Sequence, residues 1–96
     1  MKDRLKNIDV AEKNEIISTY LKNDSRIQQF PGKEKRKLIL LEYIVQEYFE
    51  MEKYYSEKDV NEILKCIYVD HVLLRRHLIE YGFMKRSRDC KEYWVL

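Results

Sequence analysis

Apolar residues recur at helical spacing in Ile16, Ile17, Tyr20 and Leu21, which predicts an amphipathic helix. Its start is Asp9, with Glu12 three residues on in capping-box spacing, and it runs to about Lys22. Asn23-Asp24-Ser25 reads as a turn. Arg26-Ile27-Gln28-Gln29-Phe30 reads as a short extended piece, because Pro31 disfavours helix in the residue before it. A second helix is expected from about Lys33 to Phe49. Leu38, Leu41, Val45 and Tyr48 form one face of it, but Ile39, Leu40, Tyr43 and Ile44 cover much of the rest. A helix apolar on most sides is usually buried on most sides. One flank is expected to meet the core of the following residues, and the other the first helix or a second subunit.

Further along, Tyr54-Tyr55 is short and extended. Ser56 and Asp59 make a second capping box, opening a helix that carries Val60, Ile63, Leu64 and Ile67. Asp70 caps a further helix from His71 to Tyr81, with Leu74, Leu78 and Tyr81 on its core face. Gly82 stands where a left-handed residue would end it. Phe83-Met84-Lys85-Arg86 and Glu92-Tyr93-Trp94-Val95 alternate as two strands around a polar turn. From residue 33 the order is helix, short strand, helix, turn, helix, strand, turn, strand. The expected fold is α+β, mainly α: a winged helix-turn-helix over residues 26–96, preceded by an N-terminal arm and extra helix over residues 1–25, in one compact unit. The same elements arranged otherwise in a small α+β domain are the alternative.

Composition agrees with a globular chain. Eight Tyr, three Phe and one Trp in 96 residues are more aromatics than a disordered segment carries. The net charge of +2 neither demands nor excludes a polyanionic partner, but charge is segregated. Residues 26–37 hold five Lys/Arg against one acid, residues 38–69 three against seven, and residues 70–96 six against four. Two cysteines, Cys66 and Cys90, are too few for a secreted disulfide framework. Met1-Lys2-Asp3-Arg4-Leu5-Lys6 leads into no apolar run, so no signal peptide is expected. No apolar stretch is long enough to span a membrane, and a reducing cytoplasm is the expected compartment.

Three spaced motifs carry a family resemblance: Phe30-Pro31-Gly32-Lys33-Glu34-Lys35-Arg36-Lys37; Tyr55-Ser56-Glu57-Lys58-Asp59-Val60-Asn61-Glu62-Ile63-Leu64; and Asp70, Leu74-Arg75-Arg76-His77-Leu78, Tyr81-Gly82 with the closing Tyr93-Trp94. Over about residues 27–95 the chain resembles the domain-of-unknown-function family 2087. Its members stand alone or are fused to repressor-type helix-turn-helix domains, and are often called transcriptional regulators. The resemblance implies a winged-helix-like domain and a role in transcription regulation. Fusion to another DNA-binding domain cuts the other way, since the partner can supply that role. The family tends to place Gly in the wing turn, whereas this chain has Asp89-Cys90. A left-handed turn residue costs Cys more than Gly, so a Ser87–Lys91 loop is expected instead of a tight two-residue hairpin.

In a helix-turn-helix the second helix enters the major groove. With Leu74, Leu78 and Tyr81 inward, its outward residues are Val72, Arg75, Arg76 and Ile79. Double-stranded DNA is therefore the expected partner. Arg75 and Arg76 would meet phosphate or a guanine edge, and Lys85, Arg86, Arg88 and Lys91 would follow the backbone. Lys33, Lys35, Arg36 and Lys37 would offer a basic helix start to phosphate. Each has a blander reading. A basic cluster is more often a solvated face; Arg76 pairs with Glu80 one turn away; Arg75 pairs with an acid of the preceding helix such as Glu62. Val72 and Ile79 suit a protein contact as well as a groove, and Glu57, Asp59 and Glu62 would repel phosphate.

The second reading is an interaction module, dimerising or docking on a partner through Ile39, Leu40 and Tyr43. Those residues would otherwise meet Ile16, Ile17, Tyr20 and Leu21 within one chain. Catalysis is not expected. His71 and His77 are six apart, on different helix faces. No HExxH, GxSxG or phosphate-binding glycine loop occurs. Cys66, Cys90 and the two His lack zinc-ligand spacing, so no metal or cofactor is implied. Cys66 reads as a small core hydrophobe and Cys90 as exposed.

Overall fold

The computed structural model describes residues 9–21 and 26–96. The expected arm over residues 1–8, the helix end at Lys22 and the turn Asn23-Asp24-Ser25 lie outside the described residues. In chain order the elements are α1 (Val10–Tyr20), α2 (Glu34–Tyr48), α3 (Glu57–Lys65), α4 (His71–Glu80), β1 (Met84–Arg86) and β2 (Tyr93–Val95). The fold is a small, mainly helical α+β arrangement with an antiparallel hairpin.

Helix starts follow the capping signals. The Asp9 side chain accepts from Ala11 N, Ser56 from Asp59 N and Asp70 from Leu73 N, each satisfying a donor that the first helical turn leaves free. α2 has no side-chain cap at Lys33. The end of α4 is fixed by Gly82 at φ 78°. Gly82 N donates to Ile79 O at 3.1 Å and Phe83 N to Leu78 O at 2.9 Å, the paired bonds of a Schellman ending. That ending turns the chain so that Phe83 and Met84 enter the core.

α2 is withdrawn from water on several sides at once. Leu38, Ile39, Leu40, Leu41, Ile44 and Val45 are all buried. They share one cluster with Val60, Leu64 and Ile67 from α3 and its end, Leu74 and Leu78 of α4, and Met84, Tyr93 and Val95 of the hairpin. α1 contributes no fully buried residue. Its half-buried Ile16, Ile17 and Tyr20, followed by Leu21, pack against that cluster. Lys13 meets Glu42 at 3.2 Å and Lys35 meets Glu12 at 2.9 Å. Ile67 is buried, but Cys66, expected as a small core hydrophobe, is not. Cys66 is exposed at the C-cap of α3, where the helix turns its side chain outward.

β1 and β2 pair with Met84 opposite Val95, Lys85 opposite Trp94 and Arg86 opposite Tyr93. On the other edge of β2, Tyr55 exchanges two 2.8 Å backbone bonds with Tyr93. The extended piece at residues 26–30 is tied at Ile27, which bridges Leu21 and donates to Ile67 O at 2.7 Å. Phe30 then stacks on His77 of α4, with centroids 5.4 Å apart and planes 19° apart.

His77 lies between Phe30 and Tyr81, and its Nδ1 has no hydrogen-bond partner. Burial first, then the Lys37 charge, hold the imidazole below its ordinary pKa; Glu80 pulls the other way and Arg76 adds a smaller push down. The unfolded chain takes up a proton near pH 6.5, before the folded protein does. The stability His77 lends is thus full above that pH and is lost as pH falls through the folded-state value. Urea midpoints measured from neutral to mildly acidic pH are expected to fall less in His77→Phe than in the wild type. Gly82→Ala is expected to lower stability by about 1–2 kcal/mol, the cost of a side chain in the left-handed region, read from the same urea curves.

Candidate nucleic-acid interface

The short connection from α3 to α4 and the Schellman turn from α4 to β1 set three elements around one open groove. Its volume is about 400 Å³, and its walls include Val72, Arg76 and Ile79 of α4, Glu57 of α3, and Arg86 and Tyr93 of the hairpin. Three of the expected cations, Arg75, Arg76 and Arg86, come together here.

They are not equivalent. Arg75 is turned inward, its side chain only 21% exposed. Its Nη1 donates to Asn61 Oδ1 and lies 3.8 Å from the Glu57 carboxylate. Glu57 also accepts from the Tyr93 hydroxyl at 3.2 Å. One carboxylate thus links α3, α4 and β2. The partner is an acid of the preceding helix, as expected, but Glu57 in place of the example Glu62: Glu57 opens α3 within reach of Tyr93 on β2. Burial and the Glu57 charge raise the Tyr93 phenol above its ordinary pKa, so it stays a donor. Arg76 is exposed, and no ion pair joins it to Glu80 among the described residues. Arg86 is exposed, with Nη1 3.0 Å from Cys90 Sγ.

The remaining candidates lie elsewhere. Lys85 pairs with Trp94 and alternates with Arg86, so it emerges on the opposite face of the hairpin. Arg88 and Lys91 are exposed in the loop between β1 and β2. Lys35 and Arg36 face α1, where Lys35 meets Glu12 and Arg36 Nη1 donates to the Tyr20 hydroxyl at 3.3 Å. Lys33 is exposed before α2. Ile39 and Leu40, expected as interface anchors, are 1% and 0% exposed within the single chain. They present no surface to a partner in this fold. Tyr43 is half-buried.

The loop between β1 and β2 is held by side-chain bonds. Ser87 N donates to Glu92 O at 2.8 Å, closing the loop. The Ser87 hydroxyl accepts from Lys91 N and Glu92 N at 3.2 and 3.0 Å, and donates to Asp89 at 2.7 Å. The Ser87 and Lys91 bonds hold the Asp89 carboxyl below its ordinary pKa. Cys90 takes the left-handed conformation, φ 62°, and is half-buried where an exposed position was expected. The loop is longer than a two-residue turn, as the missing glycine predicts.

Sequence reasoning missed Asn61 and Tyr93 as partners of the Arg75 cluster. Both stand in the quoted motifs, but their meeting joins residues far apart in the chain. No spacing rule encodes it.

Among the described residues no group of three or more metal-ligating side chains forms, and no helix is long and apolar enough to cross a membrane. A family model described as "uncharacterized protein conserved in bacteria (DUF2087)" matches residues 26–95. No curated protein and no solved structure matches the chain.

Arg75→Ala is expected to cost about 1–3 kcal/mol, because it strips a charged hydrogen-bond partner from Asn61 and Glu57. Arg76→Ala at an exposed position should stay within about 0.5 kcal/mol of wild type. Parallel guanidinium denaturation of the two variants separates the inward arginine from the outward one.

Proposed function

The chain belongs to the DUF2087 family of proteins conserved in bacteria, and from that premise we propose that it is a winged-helix transcriptional regulator that binds double-stranded DNA, without catalytic chemistry. The observation that carries this reading is the groove where α4 meets the hairpin, with Arg76 and Arg86 exposed on it. The winged-helix reading is supported by the strand order. Tyr55, ahead of α3, bridges β2, and β2 pairs with β1 after α4. A helix pair followed by such a hairpin suits a helix placed in the major groove with a wing on the adjacent backbone.

In this reading Arg76 reaches a base edge or phosphate from α4. Arg86, Arg88 and Lys91 follow phosphates from the wing. Arg75 orients α4 without touching DNA, since its guanidinium is already engaged by Asn61 and Glu57. Lys35 and Arg36 serve the α1–α2 junction. The two free cysteines fit a reducing cytoplasm.

One feature favours a second reading. Glu57 offsets Arg75, and Glu80 joins Val72 and Ile79 on the groove wall. A surface of mixed sign with an apolar strip suits a protein segment, which would make the domain an interaction module.

Titrating a labelled random duplex at low and moderate salt decides between them. DNA binding is expected to weaken steeply with salt. Arg76→Ala/Arg86→Ala should lower affinity and reduce the log–log salt slope by about one per cation removed. No binding at low salt would sink the DNA reading and leave the interaction module.

A further inference from the structure

We infer that Val72 and Ile79 on the outer face of α4 select thymine through its C5 methyl group, beside a guanine met by Arg76. The inference rests on the DNA reading and names what the groove recognises. At 3.6 residues per turn, positions 72, 76 and 79 fall within about 60° of one another around the helix, away from the buried Leu74 and Leu78. All three side chains line the groove. Val72 is 42% exposed, Arg76 is exposed and Ile79 half-buried. A rise of 1.5 Å per residue puts Val72 about 6 Å and Ile79 about 4.5 Å from Arg76 along the axis. Each separation spans one or two base steps of about 3.4 Å.

Charge alone gives this groove little hold on a duplex. Three arginines and two carboxylates line it, and one of the arginines, Arg75, is already offset by Glu57. In the adjoining loop Arg88 and Lys91 stand among Asp89 and Glu92, all four exposed. Phosphate contacts position a protein without reading sequence, and so near a balance of charge leaves discrimination to the base edges. In the major groove guanine presents two acceptors that suit an arginine, and thymine alone carries a methyl group. An exposed arginine with an apolar side chain on either side of it matches that pair of features. Glu80, one turn beyond Arg76, also suits a base edge better than the backbone. Its carboxylate accepts from the amino group of a cytosine and repels phosphate.

Duplexes recovered from a random pool by the bound protein are expected to be enriched in a guanine with thymine within two base pairs of it. Replacing those thymines by uracil removes the methyl group and nothing else. Affinity should fall about fourfold per methyl lost, with the salt slope unchanged because no phosphate contact is touched. Val72→Ser, at an exposed position, should keep the far-UV circular dichroism of the wild type and lose the preference for thymine over uracil at one position. Arg76→Ala should instead lose the preference for guanine. Duplex binding that treats thymine and uracil alike, or a Val72→Ser variant that keeps the full preference, would overturn the inference and leave the DNA reading standing. Failure to bind any duplex at low salt would overturn both.

Discussion

Six side chains of α2, Leu38, Ile39, Leu40, Leu41, Ile44 and Val45, leave water together. Each contributes roughly 1.5–3 kcal/mol of transfer free energy when fully withdrawn. They do not lie on one stripe, so a single neighbour cannot cover them. α1 closes one flank with half-buried residues and ion pairs. α3, α4 and the hairpin share the cluster with the others. The rest of the fold answers that requirement. α4 gives Leu74 and Leu78 to the core, and its remaining face stays available for Arg76, Val72 and Ile79.

Arg75 then decides the character of the exposed face. Two adjacent arginines suggest a doubly basic surface. The Asn61–Arg75–Glu57–Tyr93 chain removes one of them by neutralising it and fixing its direction. What remains is a groove with Arg76 and Arg86 exposed and Glu57 and Glu80 also among its walls. Its charge is more local than the sequence total suggests, which is why both a duplex and a protein segment are chemically reasonable occupants. The loop between β1 and β2 shows similar economy. Ser87 and Asp89 supply bonds around Cys90, which takes a left-handed conformation without being a glycine, and the strands on either side of the loop pair in register.

Much of this was written in local patterns. The caps at Asp9, Ser56 and Asp70 and the stop at Gly82 act within a few residues of themselves, so the sequence determined where the helices begin and where α4 ends. The all-round apolar character of residues 38–45 determined that α2 would be interior, and alternation determined the two strands. Cys66 was misplaced because adjacent residues on a helix point about 100° apart, and at the end of α3 the inward direction falls to Ile67. Tertiary structure alone decided which flank of α2 faces α1, and hence that Ile39 and Leu40 are core residues. It alone turned Arg75 inward and set Lys85 and Arg86 on opposite faces. The physical reason is the range of the interactions. Capping, turn and periodicity effects are settled between near neighbours in the chain, whereas burial and ion pairing depend on which elements meet, and a side chain's sequence position does not carry that information.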